Sequence, residues 1–172
     1  ITIFSQIEIN NMRYIYLFIC SLLISINLFA QTNIVILPFS NLDGEYSHNQ
    51  WCYELQDSLE KELKALDPEE KYYKIMPVEE INEILSDLNI DANNPLFDAE
   101  KWQAIKELEV DRVISGNFRI IAKRYLINGY IYYPETQLLD PDFQAKDIFK
   151  REDKILEAPK AIAKRLSQAF IK

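Results

Sequence analysis

Apolar residues change their spacing several times along this chain, and each change marks a predicted element. From Asn33 to Phe39 they run almost unbroken through Ile34, Val35, Ile36 and Leu37, a pattern that predicts a buried strand closed by Pro38. The polar stretch from Ser40 to Asn49, with Asp43-Gly44 inside it, predicts a loop. From Gln50 the spacing becomes three and four. Cys52, Leu55, Leu59, Leu63 and Leu66 fall on one helical face, with Asn49 as the expected N-cap and Pro68 as the stop. Lys71 to Pro77 reads as a short second strand, and Val78 to Leu88 is helical through Ile81, Ile84, Leu85 and Leu88. After a turn-rich loop from Asn89 to Pro95, Asp98 is expected to cap a third helix with Trp102, Ile105 and Leu108 facing inward.

The second half turns to period two. Val110 to Ala122 predicts a long strand, Lys123-Arg124 a tight turn, and Tyr125 to Tyr133 the return strand of a hairpin. Pro134-Glu135-Thr136 is the next turn, and Gln137 to Phe149 holds a third hairpin strand. Ile155 to Ile171 is helical, with Pro159 either kinking it or standing at the first position of a helix that begins near Ala158. The order β-α-β-α-α-β-β-β-α predicts one α/β domain with a mixed sheet of about five strands and helices on at least one face.

Ahead of this domain, Met12 to Gln31 has the organisation of a secretory signal peptide. Arg13 is a positive start, Tyr14 to Leu28 is apolar apart from Ser21, Ser25 and Asn27, and Ala30 is a small residue before the expected cut. Residues 1–11 carry Glu8 where a basic region would be expected and read as an upstream over-extension, with Met12 as the start. The alternative is an uncleaved anchor, but the apolar run is short of the roughly 20 residues that span a bilayer. Cys20 follows Ile19 and precedes more apolar residues, which argues against a lipobox. The domains are therefore 1–11, the signal peptide 12–30 and the α/β domain 31–172, and the expected location is the periplasm or the outer membrane.

Composition narrows the partners. The chain has 172 residues, 48% of them hydrophobic, and a net charge of −8, which opposes binding to nucleic acid or anionic lipid. Only Glu8 and Arg13 among charged residues lie ahead of residue 31, so the exported part keeps that charge. It also keeps a single cysteine, Cys52, which is expected to be buried unless it pairs between chains.

Two stretches carry a resemblance. Ile34-Val-Ile-Leu-Pro-Phe-Ser-Asn41 opens the domain, and Leu108-Glu-Val-Asp-Arg-Val-Ile-Ser-Gly-Asn-Phe-Arg119 leads into the first hairpin. Together they resemble the amino-terminal TolB-type domain, the α/β fold of TolB-like, flagellar FlgO-type and curli-secretion CsgG-type envelope proteins. The resemblance covers roughly Asn33 to Ile171. It implies that Pro38, Phe39, Asp111 and Gly116 are fold-motif residues, with Gly116 at a bulge or a close backbone approach and Asp111 satisfying backbone donors near the strand start. This sequence has Trp51-Cys52 where the family has Gly-Leu, and Glu109 where it has a glycine. The long hairpins of a curli-type pore are absent, so the resemblance extends to fold and envelope setting and not to pore formation.

Catalytic chemistry is thin. His48 is the single histidine and reads as a solvated loop residue. Asp140-Pro-Asp142 and Glu69-Glu70 read as solubility charges, although a wall-sugar hydrolase would need two facing carboxylates. Asn41 to Glu45 and Asp91 to Asn94 lack the ligand spacing of calcium loops, and no Gly-rich phosphate cradle occurs, so no metal, cofactor or nucleotide is expected. Contact surfaces are more plausible chemistry. Tyr46, His48 and Trp51 cluster at the first loop, while Tyr130 and Tyr132 share one strand face, with Ile131 and Tyr133 on the other. These tyrosines either form an interface or pack under the closing helix. The sequence thus points to a non-enzymatic envelope protein acting as a protein–protein interaction or assembly module, whose partners are envelope proteins or further copies of itself. A regulator of cell-wall synthesis, of the penicillin-binding-protein-activator type, is the alternative, and a small periplasmic hydrolase is a third reading.

Overall fold

The computed structural model describes residues 31–171. The expected signal peptide at 12–30 and the extension at 1–11 lie outside the described residues. Six strands form one sheet: β1 (Thr32–Ile36), β2 (Ser40–Asn41), β3 (Tyr73–Ile75), β4 (Arg112–Ile121), β5 (Arg124–Tyr133) and β6 (Leu138–Lys150). Four α-helices accompany them: α1 (Gln50–Leu66), α2 (Val78–Asp87), α3 (Phe97–Ile105) and α4 (Ala158–Leu166). The expected order holds, with β2 as a two-residue addition inside the predicted loop, paired in parallel with β4.

Sheet order is β3-β1-β4-β5-β6, parallel through β3, β1 and β4 and antiparallel beyond. Connectivity explains the layers. The chain moves from β1 to β3 through α1, then back across β1 to β4 through α2 and α3. Right-handed crossovers in opposite directions place their helices on opposite faces of the sheet. Tyr73 accordingly donates its hydroxyl to the Leu63 carbonyl of α1 at 2.6 Å, and Ile162 of α4 faces Gly129, both on one face. Lys101 of α3 reaches Ser115 on the other face.

The first face holds the main core. Ile34, Ile36, Ile114, Phe118 and Ile127 pack with Leu55, Leu59, Leu63, Ile162 and Leu166, all fully buried. Helical spacing in α1 and α4 therefore found its complement in period-two strands. Gln56, also fully buried, ties three elements together by donating to the Ile36 carbonyl of β1 and accepting from Asn82 of α2. Cys52 is buried, and burial pushes its thiol up to about 11, so it stays protonated and inert. Among the described residues no helix is long and apolar enough to cross a membrane.

Local expectations fail where backbone geometry intervenes. Asn49 makes no capping bond, because a 3₁₀ turn at Tyr46–His48 runs straight into α1 and leaves Asn49 already helical. Its side chain instead accepts from Asn41 at 2.9 Å. Asp98 is not a cap either, since α3 begins one residue earlier and Asp98 lies in its first turn. Pro159 stands near the start of α4, which a 3₁₀ segment at Glu152–Glu157 precedes, so the second of the two readings of Pro159 holds.

The β4–β5 turn is Ala122-Lys123 and not Lys123-Arg124, since Ile121 pairs with Arg124. Both turn residues have positive φ, 50° and 63°, the geometry of a tight hairpin normally given to Asn-Gly. A side chain there costs energy at each position. The double variant Ala122→Asn/Lys123→Gly is therefore expected to stabilise the domain by about 1 kcal/mol, read as a rise of several degrees in Tm. An unchanged or lower Tm would mean that these residues make contacts worth more than the strain.

Candidate functional site

Two of the fold-motif residues, Phe39 and Gly116, meet in space, and Asp111 stands at the other end of β1. After β1 the chain runs through buried Leu37, Pro38 and Phe39, and the Phe39 N–H donates to the Cys52 carbonyl at 2.9 Å. The Phe39 ring lies directly on Gly116, so closely that a Cβ at that position would overlap it. Gly116 is thus a site of close approach; it is no bulge, because β4–β5 pairing runs through it without a break. Asp111 accepts from the Asn33 N–H at 2.8 Å, while its own N–H donates to the Asn33 carbonyl, which joins the starts of β1 and β4. These residues are structural. They set the sheet and leave the chemistry to the surface.

One surface is the end of the sheet where β1 and β4 finish. The loop after β1 is pinned there by its own polar side chains. Asn41 donates to the Glu45 carbonyl and accepts from the Asp43 N–H, and Asp43 accepts from the Ile120 N–H. His48 and Trp51 lean on buried Tyr125, with ring centroids at 5.7 Å and 6.4 Å in edge-on geometry. Among the described residues, the buried His48 Nδ1 has no hydrogen-bond partner. Glu45 lies 3.7 Å from His48, and among the described residues no nucleophile and acid are oriented about it as a triad. Of the three aromatic candidates in this loop, only Tyr46 is displayed, at 87% exposure.

Sequence reasoning missed what surrounds it. Leu42, Ile121, Phe149 and Leu156 are all exposed on the same end. Leu42 donates its N–H to the Phe118 carbonyl, Ile121 flanks the β4–β5 turn, Phe149 pairs with Leu126 near the start of β5, and Leu156 lies in the 3₁₀ segment after β6. They come from four separate segments, so no local periodicity could have grouped them.

The other surface lies on the second face of the sheet. Tyr130 and Tyr132 are on that face, opposite α4, so they do not pack under the closing helix. Their own strand alternation decides this, because Gly129 faces Ile162 of α4. Trp102 of α3 meets Tyr132 edge-on at 5.6 Å, and Tyr130 meets Tyr132 at 6.4 Å. Lys101 is buried among them, 3% exposed, with its ammonium 5.4 Å from the Tyr132 ring centre and 5.6 Å from that of Trp102. Its Nζ donates to Asp98 at 2.6 Å and, more weakly, to Ser115 at 3.4 Å. Burial raises the Tyr132 hydroxyl above its ordinary pKa, so it stays a neutral donor. A cleft of about 190 Å³ opens beside these groups and is also lined by Ser40, Asn117 and Gln137. Helical spacing gave no hint of Lys101, because a lysine between Trp102 and Asp98 reads as solvated.

Two of the acids singled out in the sequence are held by local hydrogen bonds. Asp140 is buried, unlike the solubility charge its sequence suggested, and accepts from the Asp142 and Phe143 N–H groups and the Tyr133 hydroxyl. Burial pushes its pKa up, but those bonds and nearby Arg112 outweigh it and hold the carboxyl below its usual range. A general acid needs the opposite shift, so Asp140 and Asp142 are not built as a hydrolytic pair. Asp91 turns its carboxylate back onto Asn93, as expected of an ordinary turn. Among the described residues no three His, Cys, Asp or Glu side chains gather as metal ligands.

Sheet order and helix placement define the class, a single mixed α/β domain with helices on both faces. No family model matches the sequence, and no curated protein matches it. Solved structures give a looser likeness. The LpoB C-terminal domain from Salmonella enterica aligns at 10% identity and a TM-score of 0.46, covering 77% of this chain and 92% of that one. The LpoB C-terminal domain from Escherichia coli aligns at 8% identity and 0.45, covering 74% and 90%. A lipoprotein from Neisseria meningitidis aligns at 10% identity and 0.49, covering 71% and 83%.

Proposed function

We propose that this chain is an exported, non-enzymatic binding or assembly module of the bacterial-type cell envelope, and that it engages a partner protein through the end of the sheet where β1 and β4 finish. The observation that carries this reading is the gathering of Leu42, Tyr46, Ile121, Phe149 and Leu156 there. They make up half of the ten large apolar side chains exposed among the described residues. Single exposed apolar residues are ordinary; a group at one end of a rigid scaffold marks a contact surface. The hydrogen-bonded loop from Asn41 to Asn49 holds Tyr46 in place before binding, which limits the entropy lost on association. The envelope setting rests on the signal-peptide pattern at 12–30 and on the TolB-type motif residues Pro38, Phe39, Asp111 and Gly116. A regulator of cell-wall synthesis is the narrower form of the same reading.

The test is photocrosslinking in intact cells. A crosslinking amino acid at Tyr46 or Ile121 is expected to trap one discrete envelope protein, and one at Tyr53 or Leu66 on the outside of α1 is expected not to. Adducts of equal yield from all four positions, or none from the first two, would overturn the proposal. A penicillin-binding protein as the trapped species would select the narrower form.

A further inference from the structure

We infer that the cleft beside Lys101 is a binding site for one neutral sugar ring of a glycan. Its size sets the first limit. At about 190 Å³ it is smaller than the roughly 300–1,000 Å³ of a drug-sized or nucleotide site, and it holds one ring and little more. The mixture of groups sets the second. Asp98 accepts, Asn117 donates, Gln137 both donates and accepts, and Ser40 supplies a hydroxyl, while Trp102 and Tyr130 add aromatic surface. A pyranose has the matching surface: hydroxyls that donate and accept around its rim, and apolar C–H groups on its faces.

Other ligand classes fit less well. A cation would meet the Lys101 ammonium, which already sits against the rings of Phe97, Trp102 and Tyr132. An anion would have to displace Asp98 from Lys101, where the two are 2.6 Å apart. A purely apolar group would strand the amides and hydroxyls that line most of the cleft, at a cost for each. Asn117 spends its carbonyl oxygen on Asn128, at 3.0 Å, which leaves its donor end for a sugar hydroxyl. The cleft lies on the second face of the sheet and reaches the loop of the proposed protein-contact end at Ser40, and sugar titration and crosslinking test the two inferences separately.

The chain has two tryptophans, Trp51 at the sheet end and Trp102 at the cleft, and Trp51→Phe leaves Trp102 as the sole indole reporter. Purified protein with that background would be titrated with two trisaccharides, one of N-acetylglucosamine and one of glucose. A saturable change in Trp102 emission with at least one of them is expected, with Kd on the order of 1 mM for a single-ring site. Tyr130→Ala should weaken it about tenfold with an unaltered melting profile. If Tyr130→Ala does not fold, Asp98→Asn is the substitute. No saturable change with either sugar, an unchanged response in a folded cleft variant, or an equal response to glutamate as a simple carboxylate would overturn the inference.

Discussion

Gly116→Ala is expected to destabilise the domain by about 3 kcal/mol, near the upper end of what one added methyl does in a packed core. The methyl would occupy the space now filled by the Phe39 ring, which is fully buried and borders the Phe39–Cys52 backbone bond. The ring can move only by disturbing the turn that joins β1 to β2, because Leu37 and Pro38 before it are buried too. Urea unfolding would measure the loss. The double variant Gly116→Ala/Phe39→Leu supplies the control, since a smaller side chain vacates the contested space. Its stability should be clearly better than the sum of the two single losses, because contacting residues couple. Additive losses would mean that the glycine is needed for some reason other than the ring.

The second large effect belongs to Asp67. Asp67→Asn is expected to cost about 2 kcal/mol at neutral pH, and much less in acid. This buried carboxylate follows α1 and accepts three successive backbone N–H bonds, from Lys71 at 3.0 Å, Tyr72 at 2.7 Å and Tyr73 at 3.1 Å. It thereby fixes the turn between α1 and β3. Burial by itself would raise its pKa, but the bonds from Tyr72, Tyr73 and Lys71 prevail and the net shift is downward. A lowered folded-state pKa means that the unfolded chain takes up the proton first. The stabilisation is then fully present above the ordinary Asp pKa of about 3.9 and disappears as pH falls through the lower folded value. Unfolding free energies of wild type and Asp67→Asn should therefore converge through that acidic window. A constant gap at all pH values would show that the amide disturbs packing and that the charge is irrelevant.

Both effects bear on the proposed surfaces. Gly116 and Phe39 set the position of the loop that carries Tyr46, and Gly116 also borders the cleft on the second face. A partial loss of packing there would disturb protein contact and sugar binding together. Asp67 lies at the opposite end of α1 from that loop, so its loss should lower stability and leave a folded molecule with both surfaces intact.

The period of apolar residues by itself determined the element order, the α/β class and the members of the main core. Runs such as Ile34 to Leu37 and the spacing from Cys52 to Leu63 are local patterns, and burial enforces them wherever the elements end up. The motif glycine was legible as well, though its reason was not: only the folded chain brings Phe39, far away in sequence, onto Gly116. Tertiary structure alone decided the rest. The direction of each crossover put Tyr130 and Tyr132 opposite the closing helix, and strand pairing gathered Leu42, Ile121 and Phe149 at one end. Lys101 became buried because α3 was laid across a face holding Ser115, Tyr130 and Tyr132. Each of these depends on which distant segments become neighbours, and a side chain's neighbours across the sheet leave no trace in its own stretch of sequence.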